Sequence, residues 1–416
     1  MRRVLTPKRP IMTLTRTLQN ALPWPQPNRG LMLRAVLLLG LCELVRTGLY
    51  VGFLPQQLAA HGLPLSAAGL AWTVHYASDT LCRSPGGHLV ERYGLRRVLL
   101  IGCAVSLLCV LLMQLVPYAW LLVPLAALHG AALSPLWPAV MTLSSVRADS
   151  DQQPKAVAVV SAAAGPFTGL GFLGIGTLSS LHFASGADSR LHTLGGWPLA
   201  ILLLAQTLAL LLTLGLSAVR LHTGEPARAA PPAQLRRTLL FLMPAALIQT
   251  LALSVLALVI RNFADDIHLG QWGLNGVMAA GALSAYLLLG YTSRLAGRYG
   301  AQPLLVAGLL LAALGMGLMA TLPPLWGYVL LAVLLGTGYA CLLPGWGGLV
   351  ASLLPQENRA ASWGMVMTVE NAGMATGPLL GTVAAGVSLR APFLLSMVLL
   401  LLTAAVYLWP SRRSGT

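Results

Sequence analysis

"GGHLVERYGLRRVLL", residues 86–100, decides the fold, because it returns in altered form as "TSRLAGRYGAQPLLV" at residues 292–306. Both copies follow a long apolar segment and share the core L-x-x-R-Y-G. The two cores begin at Leu89 and Leu295, which are separated by about half of the 416-residue chain. An internal repeat at this spacing predicts two related halves.

The composition around these repeats is that of a membrane protein. Only 9% of the residues are charged and the mean hydropathy is +0.76, whereas soluble domains carry about 25% charged residues. Apolar runs of about 20 residues cross a bilayer as helices. The sequence predicts an all-α membrane protein with twelve such segments: 31–53, 65–85, 97–115, 119–142, 156–178, 195–217, 238–260, 272–291, 303–322, 326–350, 361–383 and 390–409.

The net charge of +15 follows the predicted topology. Lys and Arg concentrate in the first 30 residues and in alternate loops, which predicts a multi-pass protein of the inner membrane with both termini in the cytoplasm. Nucleic acid binding is not expected, because no basic stretch is interleaved with stacking aromatics. The five cysteines indicate neither disulfides nor a metal site. The predicted organisation is a basic tail (1–30), a first half (31–217), a linker (218–237), a second half (238–409) and a tail (410–416).

Four charges lie well inside predicted spans, away from their ends: Glu43, Arg46, Asp79 and Glu370. Each costs about 2.5–3.5 kcal/mol to insert at a helix centre. Glu43 and Arg46 are three residues apart and share a helix face, and His75 lies one turn before Asp79. We expect proton coupling at Glu43, Asp79, Arg46 and His75. A packing role for His75 stays equally open.

The loop after the second span resembles the Gly-x-x-x-Asp-Arg-x-Gly-x-Arg signature of the major facilitator superfamily. Glutamate stands here in the aspartate position, and the second copy has Ser293 and Gly297 at the glycine and acidic positions. The resemblance implies two six-helix halves in pseudo-symmetric relation and a cytoplasmic gate that clasps them together. The gate residues are Gly87, Glu91, Arg92, Gly94, Arg96 and Arg97.

Two Gly-Pro stretches echo each other, "SAAAGPFTGLG" at 161–171 and "GMATGPLLGT" at 373–382. They resemble a signature of antiporters in this superfamily, at Gly165, Pro166, Gly377 and Pro378. Close helix packing and a direct role in coupling are both open interpretations.

Several stretches resemble more closely the glycolipid flippases of lipoteichoic acid synthesis: "CELVRTGLYVGFLP", "VHYASD", "SPLWPAVMTLSSV", "LLPGW" and "ASWGMVMTVENAGMATGPLLG". The resemblance implies exchange of a diglucosyl diacylglycerol for protons, in a cavity that is polar in the first half and apolar in the second. Carried over by position, it implies a charged cluster at Glu43, Arg46 and Asp79 with an aromatic at Trp137. The chain departs from the pattern near Ala162, where a tryptophan is expected, and at Glu370, where a neutral polar residue is expected.

The charges alone point to the same asymmetry, because Glu43, Arg46 and Asp79 all lie in the first half. The predicted substrate-binding residues are Glu43, Arg46, Asp79, Trp137, Gln249, Trp346, Trp363 and Glu370. For Trp346 and Trp363 a position in an interfacial belt is the favoured alternative.

We therefore predict a proton-coupled, alternating-access transporter that flips a glycolipid, acts as a monomer and needs no cofactor beyond the proton gradient. A multidrug or small amphipathic solute/proton antiporter of the same fold is the alternative. An enzyme is not expected, because the short loops offer no catalytic constellation. A scaffold or sensor would have no need of Glu43 and Arg46 inside the membrane.

Overall fold

A computed structural model describes residues 23–115, 119–148, 153–184, 196–216, 232–321, 324–354 and 359–408. Most of the predicted basic tail, most of the predicted linker and the C-terminal tail lie outside these residues.

The described chain forms twelve long helices in two halves of six, as the sequence predicts. Helices α1, α4, α5 and α7 are each built from consecutive helical stretches. The bounds are α1 Gln26–Ala60, α2 Leu65–Tyr93, α3 Leu95–Leu115, α4 Ala119–Leu133 with Leu136–Val146, α5 Gln153–Gly169 with Leu170–Ile175 and Gly176–Ala184, α6 Gly196–Leu214, α7 Pro232–Ser254 with Ile260–Asp266, α8 Gly270–Tyr299, α9 Ala301–Met319, α10 Leu325–Leu353, α11 Arg359–Val387 and α12 Ala391–Leu408.

Ten of these twelve helices are apolar and long enough to cross a membrane by composition alone. The other two are α2 and α11, which carry Asp79, Arg83 and Glu370. These two helices pack against each other across the boundary between the halves. The most polar helices therefore meet in the interior of the bundle, where polar side chains avoid lipid.

One predicted boundary is wrong in a way that affects the function. The seventh segment was expected to end at residue 260, which places Arg261 in a loop. Helix α7 instead resumes after a short break and continues as Ile260–Asp266. Arg261 therefore lies on a helix and is partly buried, in a position from which it reaches the other half.

Helices α1 and α5 cross at an unusually short distance through their π-helical turns, Gly48–Phe53 and Leu170–Ile175. A Cβ at Gly52 would lie 2.9 Å from the Gly171 carbonyl oxygen, and a Cβ at Gly171 would lie 2.8 Å from the Gly48 nitrogen. The crossing therefore requires glycine, and it fixes the stretch of α1 that carries the charges.

The two copies of the sequence repeat have the same local structure. Gly94 ends α2 with a φ of 88°, and Gly300 ends α8 with a φ of 95°, values that favour glycine. The guanidinium carbons of Arg92 and Arg298 each lie 5.3 Å from the ring centre of the tyrosine that follows.

Exposed tryptophans mark the opposite end of the bundle. Trp120, Trp197, Trp272 and Trp326 stand at the beginnings of α4, α6, α8 and α10. These helices run in the same direction, so the four side chains lie at one level, as an interfacial belt does.

Candidate functional site

Glu43 is held by an arginine and a tryptophan in the interior of the first half. Its side chain is 5% exposed, and one carboxylate oxygen forms an ion pair with Arg46 on the next turn of α1. The other oxygen accepts a 2.5 Å hydrogen bond from Trp137 Nε1 on α4. The predicted association of Glu43, Arg46 and Trp137 is therefore present, and both carboxylate oxygens are engaged.

Arg46 has further contacts inside the bundle. Its guanidinium carbon lies 5.0 Å from the ring centre of Tyr76 on α2, within the range of a cation–π contact. Within the described residues its buried Nε has no hydrogen-bond partner. This donor can serve a ligand without breaking the pair with Glu43.

Asp79 lies near enough to Arg46 to interact with it electrostatically, but its direct ion-pair partner is another arginine. Asp79 is 3% exposed and pairs at 2.8 Å with Arg83, one turn further along α2. Among the described residues it forms no ion pair with Arg46. An i,i+4 partner on its own helix satisfies the carboxylate locally. The first half thus contains two separate ion pairs.

Arg83 also reaches across the boundary between the halves. It faces the Asn371 side chain on α11, and the amide oxygen, oriented toward the guanidinium, lies 2.5 and 2.7 Å from its two terminal nitrogens. A neutral amide of the second half is therefore added to the Asp79–Arg83 pair. The sequence analysis did not identify Asn371.

His75 lies in an aromatic cluster rather than beside Asp79. The His75 ring centre is 4.7 Å from that of Tyr50 and 4.9 Å from that of His129. Tyr50 Oη lies 3.2 Å from His129 Nδ1, and His129 Nε2 lies 2.8 Å from Ser106 Oγ. This cluster joins α1 to α4 and favours the packing role for His75.

Glu370 forms the corresponding acidic site of the second half. Trp346 Nε1 on α10 donates a 2.5 Å hydrogen bond to Glu370 Oε1, and Gln249 Nε2 on α7 donates a weaker one at 3.4 Å. The predicted residues Gln249, Trp346 and Glu370 therefore meet. Trp346 is buried, which excludes the interfacial position that was the alternative.

An open apolar cavity of about 260 Å³ lies between α7 and α11, with the exposed Met243 and Met365 among its lining residues. Its walls include Ala246, three residues before Gln249, and Val369, next to Glu370. The cavity therefore adjoins these residues in the chain, while its own lining does not include the Glu370 side chain. Trp363 lies on α11, and its side chain is outside the described part of the structure.

The predicted gate loop stays a prediction. Arg92, Arg96 and Arg97 are exposed, and Glu91 has a side chain outside the described part. Gly87 lies in the last turns of helix α2, and Gly94 separates α2 from α3. Among the described residues, the hydrogen bonds between the halves are formed by residues other than these six.

The Gly-Pro motifs pack two helix pairs. A Cβ at Gly377 would lie 2.9 Å from the Val255 nitrogen of α7, so this face of α11 needs a residue without a side chain. Gly165 on α5 faces Tyr286 on α8, a contact between the halves. Pro166 and Pro378 lie inside helices α5 and α11. These contacts favour the packing interpretation.

A polar network connects the halves at the tryptophan-belt end. Arg261 on α7 donates hydrogen bonds to Ser180 on α5 and to Gln271 on α8. Asn275 Nδ2 on α8 lies 2.7 Å from Thr177 Oγ1 on α5. These five residues are called the Arg261 network below. Sequence reasoning missed it because the break in α7 hides that Arg261 is helical.

The interface between α2 and α11 adds two more hydrogen bonds. Trp72 Nε1 donates to the Met374 carbonyl at 3.1 Å, and Thr73 Oγ1 donates to the Ala375 carbonyl at 2.5 Å. Leu258 and Ala375 of the second half belong to the apolar core of the first half at this level. The halves are therefore closed against each other at the tryptophan-belt end.

Comparison with known proteins agrees with this architecture. Flippase LtaA of Staphylococcus saprophyticus, a proton-coupled antiporter, is 23% identical over 357 residues, which is 83% of this chain and 85% of LtaA. The class C tetracycline resistance protein of Escherichia coli is 32% identical over 127 residues, which is 30% of this chain and 31% of that protein.

A solved structure shares the fold at low sequence identity. A POT family transporter in complex with 5-aminolevulinic acid superposes with a TM-score of 0.71 at 11% identity, covering 94% of this chain and 98% of its own. The family model of the Major Facilitator Superfamily matches residues 36–294 and 240–415. The chain belongs to the Major Facilitator Superfamily, and it is a multi-pass membrane transporter rather than an enzyme.

Proposed function

We propose that this transporter exchanges protons for a glycolipid and moves the lipid across the inner membrane. The observation that carries the proposal is the buried cluster of Glu43, Arg46 and Trp137. A pair of charges inside spanning helices costs several kcal/mol that two apolar residues would avoid. Binding of a polar ligand between the helices would account for the presence of these charges in spite of that cost.

The two halves offer different surfaces to the two ends of such a lipid. In the first half, the Arg46 Nε is an unused donor, and the Trp137 ring is a surface on which a sugar can stack. In the second half, the apolar cavity between α7 and α11 suits an acyl chain. This division supports an amphiphilic substrate, and the similarity to LtaA over most of the chain supports a lipid.

Transport by alternating access would open and close the two ends of the bundle in turn. The Arg261 network and the hydrogen bonds between α2 and α11 are contacts that must break for the tryptophan-belt end to open. The basic loops predict that the opposite end faces the cytoplasm. We propose that the described arrangement is the state with access from that side.

Reconstitution with a fluorescent diglucosyl diacylglycerol tests the proposal. Wild-type protein should accelerate its flipping when a pH gradient is imposed. Glu43→Gln and Asp79→Asn should each slow it by about tenfold or more, since one charge-assisted hydrogen bond is worth roughly 1.5–3 kcal/mol. The matched control is Asp266→Asn, the same change at an exposed helix end, which should retain full activity. Full activity of both buried variants would refute the role of the clusters.

The second candidate is an antiporter for amphipathic solutes or drugs. It is favoured by the similarity to the tetracycline resistance protein and by the apolar cavity between α7 and α11. Susceptibility of a deletion strain to lipophilic cations, with an unchanged glycolipid distribution, would select this candidate over the flippase.

A further inference from the structure

Glu370, which is partly buried, differs from the buried acids Glu43 and Asp79 in having no arginine bound to it. Glu43 pairs with Arg46, and Asp79 pairs with Arg83. Among the described residues Glu370 forms no ion pair, and its hydrogen bonds come from a neutral indole and a neutral amide. A carboxylate paired with a guanidinium stays ionised, whereas an unpaired carboxyl in apolar surroundings can take up a proton.

The two hydrogen bonds on Glu370 leave one oxygen available. Both the Trp346 indole and the Gln249 amide donate to Oε1. In the described residues no group donates to Oε2. Because the proton of a neutral carboxyl group favours the oxygen that accepts fewer hydrogen bonds, Oε2 is the atom expected to carry it.

The charged and titratable groups around Glu370 are few. Helix α7 contributes the neutral Gln249 and Thr250, whose Oγ1 donates to the Glu370 carbonyl at 2.7 Å. Helix α10 contributes Trp346 and the phenol of Tyr339. Helix α2 contributes Arg83, which acts on Glu370 across the boundary between the halves. Arg83 is itself bound to Asp79.

We infer that Glu370 is the carboxyl group that binds and releases the transported proton. This inference rests on the proposed proton-driven exchange and revises the sequence-based assignment of proton binding to Glu43 and Asp79. The proton moves from water to Oε2 and leaves to water from the same atom, so no covalent bond other than O–H forms or breaks.

The position of Glu370 connects its proton to the contact between the halves. The next residue, Asn371, places its amide against Arg83. An ionised Glu370 attracts the Arg83 guanidinium toward α11, whereas a protonated one leaves Arg83 to Asp79. Protonation therefore changes the attraction between α2 and α11, the most polar helices of the two halves. This is the link that a proton-driven conformational change requires.

Tryptophan fluorescence provides a direct test, because each acid of interest accepts an indole N–H. The contribution of Trp346 is obtained by subtracting the emission of Trp346→Phe from that of the wild type, and the contribution of Trp137 is obtained likewise with Trp137→Phe. The purified full-length protein is titrated in lipid nanodiscs from about pH 5 to about pH 9. The indole–carboxyl hydrogen bond differs in strength between the two protonation states.

We expect the Trp346 contribution to titrate and the Trp137 contribution to stay constant. The Trp346 titration should disappear in Glu370→Gln and persist in Glu43→Gln. In Glu370→Asp, which retains a carboxyl group, the titration should shift. This variant keeps the test available if Glu370→Gln folds poorly. A Trp346 signal that is constant with pH, or that still titrates in Glu370→Gln, would overturn the inference.

The same titration separates this inference from the proposed function, because it needs no substrate. A titrating Glu370 in a protein that flips no glycolipid would refute the proposed substrate and leave the proton site standing. If a pH gradient accelerates flipping by Glu370→Gln as much as it accelerates flipping by the wild type, the proton site is overturned and the proposed substrate stands.

Discussion

Replacing Arg46 by methionine isolates the buried ion pair on which the account of the first half depends. The variant leaves Glu43 at 5% exposure with one hydrogen bond from Trp137 and without its cation. Methionine keeps an unbranched apolar side chain against Tyr76, so packing changes little. Removing one partner of a buried pair costs about 3–5 kcal/mol. We expect about 3 kcal/mol, because the Trp137 hydrogen bond stays.

The double variant Glu43→Gln with Arg46→Met separates the charge effect from packing. It removes both charges, so it should lower the free energy of unfolding by less than Arg46→Met does. The coupling free energy between the two substitutions should be about 2 kcal/mol. The free energy of unfolding is measured by denaturant titration in mixed micelles.

The matched control is Arg34→Met on the same helix. Arg34 is exposed and donates to the Gly215 carbonyl at 3.0 Å, so its loss should cost less than about 1 kcal/mol. The reasoning is refuted if the effects of Glu43→Gln and Arg46→Met on the free energy of unfolding simply add in the double variant. It is also refuted if Arg34→Met and Arg46→Met have equal effects.

Three further predictions concern the fold and the two ends of the bundle. Gly52→Ala should lower the unfolding free energy by about 1–3 kcal/mol through overpacking, whereas Gly174→Ala, with nothing within 4 Å of its Cβ, should leave it nearly unchanged; equal effects would contradict the α1–α5 crossing. Arg261→Leu should separate the halves at the tryptophan-belt end, seen as longer distances between spin labels on α5 and α8, and unchanged distances would argue against a latch. A cysteine at Arg92, in a cysteine-free background, should react with a membrane-impermeant reagent only in inside-out vesicles, and labelling in intact cells would reverse the predicted topology.

The fold followed from the sequence because its signals are local. Segment length together with loop chemistry predicted the twelve helices, and the repeat of Arg92-Tyr93-Gly94 as Arg298-Tyr299-Gly300 predicted the two halves. Both copies indeed end a helix at a glycine with positive φ. The helix bounds were less predictable: the break in α7 lies within an apolar run, so the position of Arg261 depended on packing that composition does not report.

The candidate site was predictable within single helices and less so between them. The pairing of Glu43 with Arg46 follows from a spacing of three residues, and the resemblance supplied Trp137. Whether Asp79 pairs with Arg46 or with Arg83 depends on how α1 and α2 face each other. A single sequence does not contain that information. Asn371 was missed for the same reason, because its partner lies in the other half.

The most direct test of the central claim is the initial rate of glycolipid flipping in reconstituted vesicles, measured with and without an imposed pH gradient. The account predicts that the gradient accelerates flipping by the wild type, that Glu370→Gln flips at the rate without a gradient under both conditions, and that Asp266→Asn behaves as the wild type. A wild-type rate that is indifferent to the gradient, or no flipping above protein-free vesicles, would contradict it.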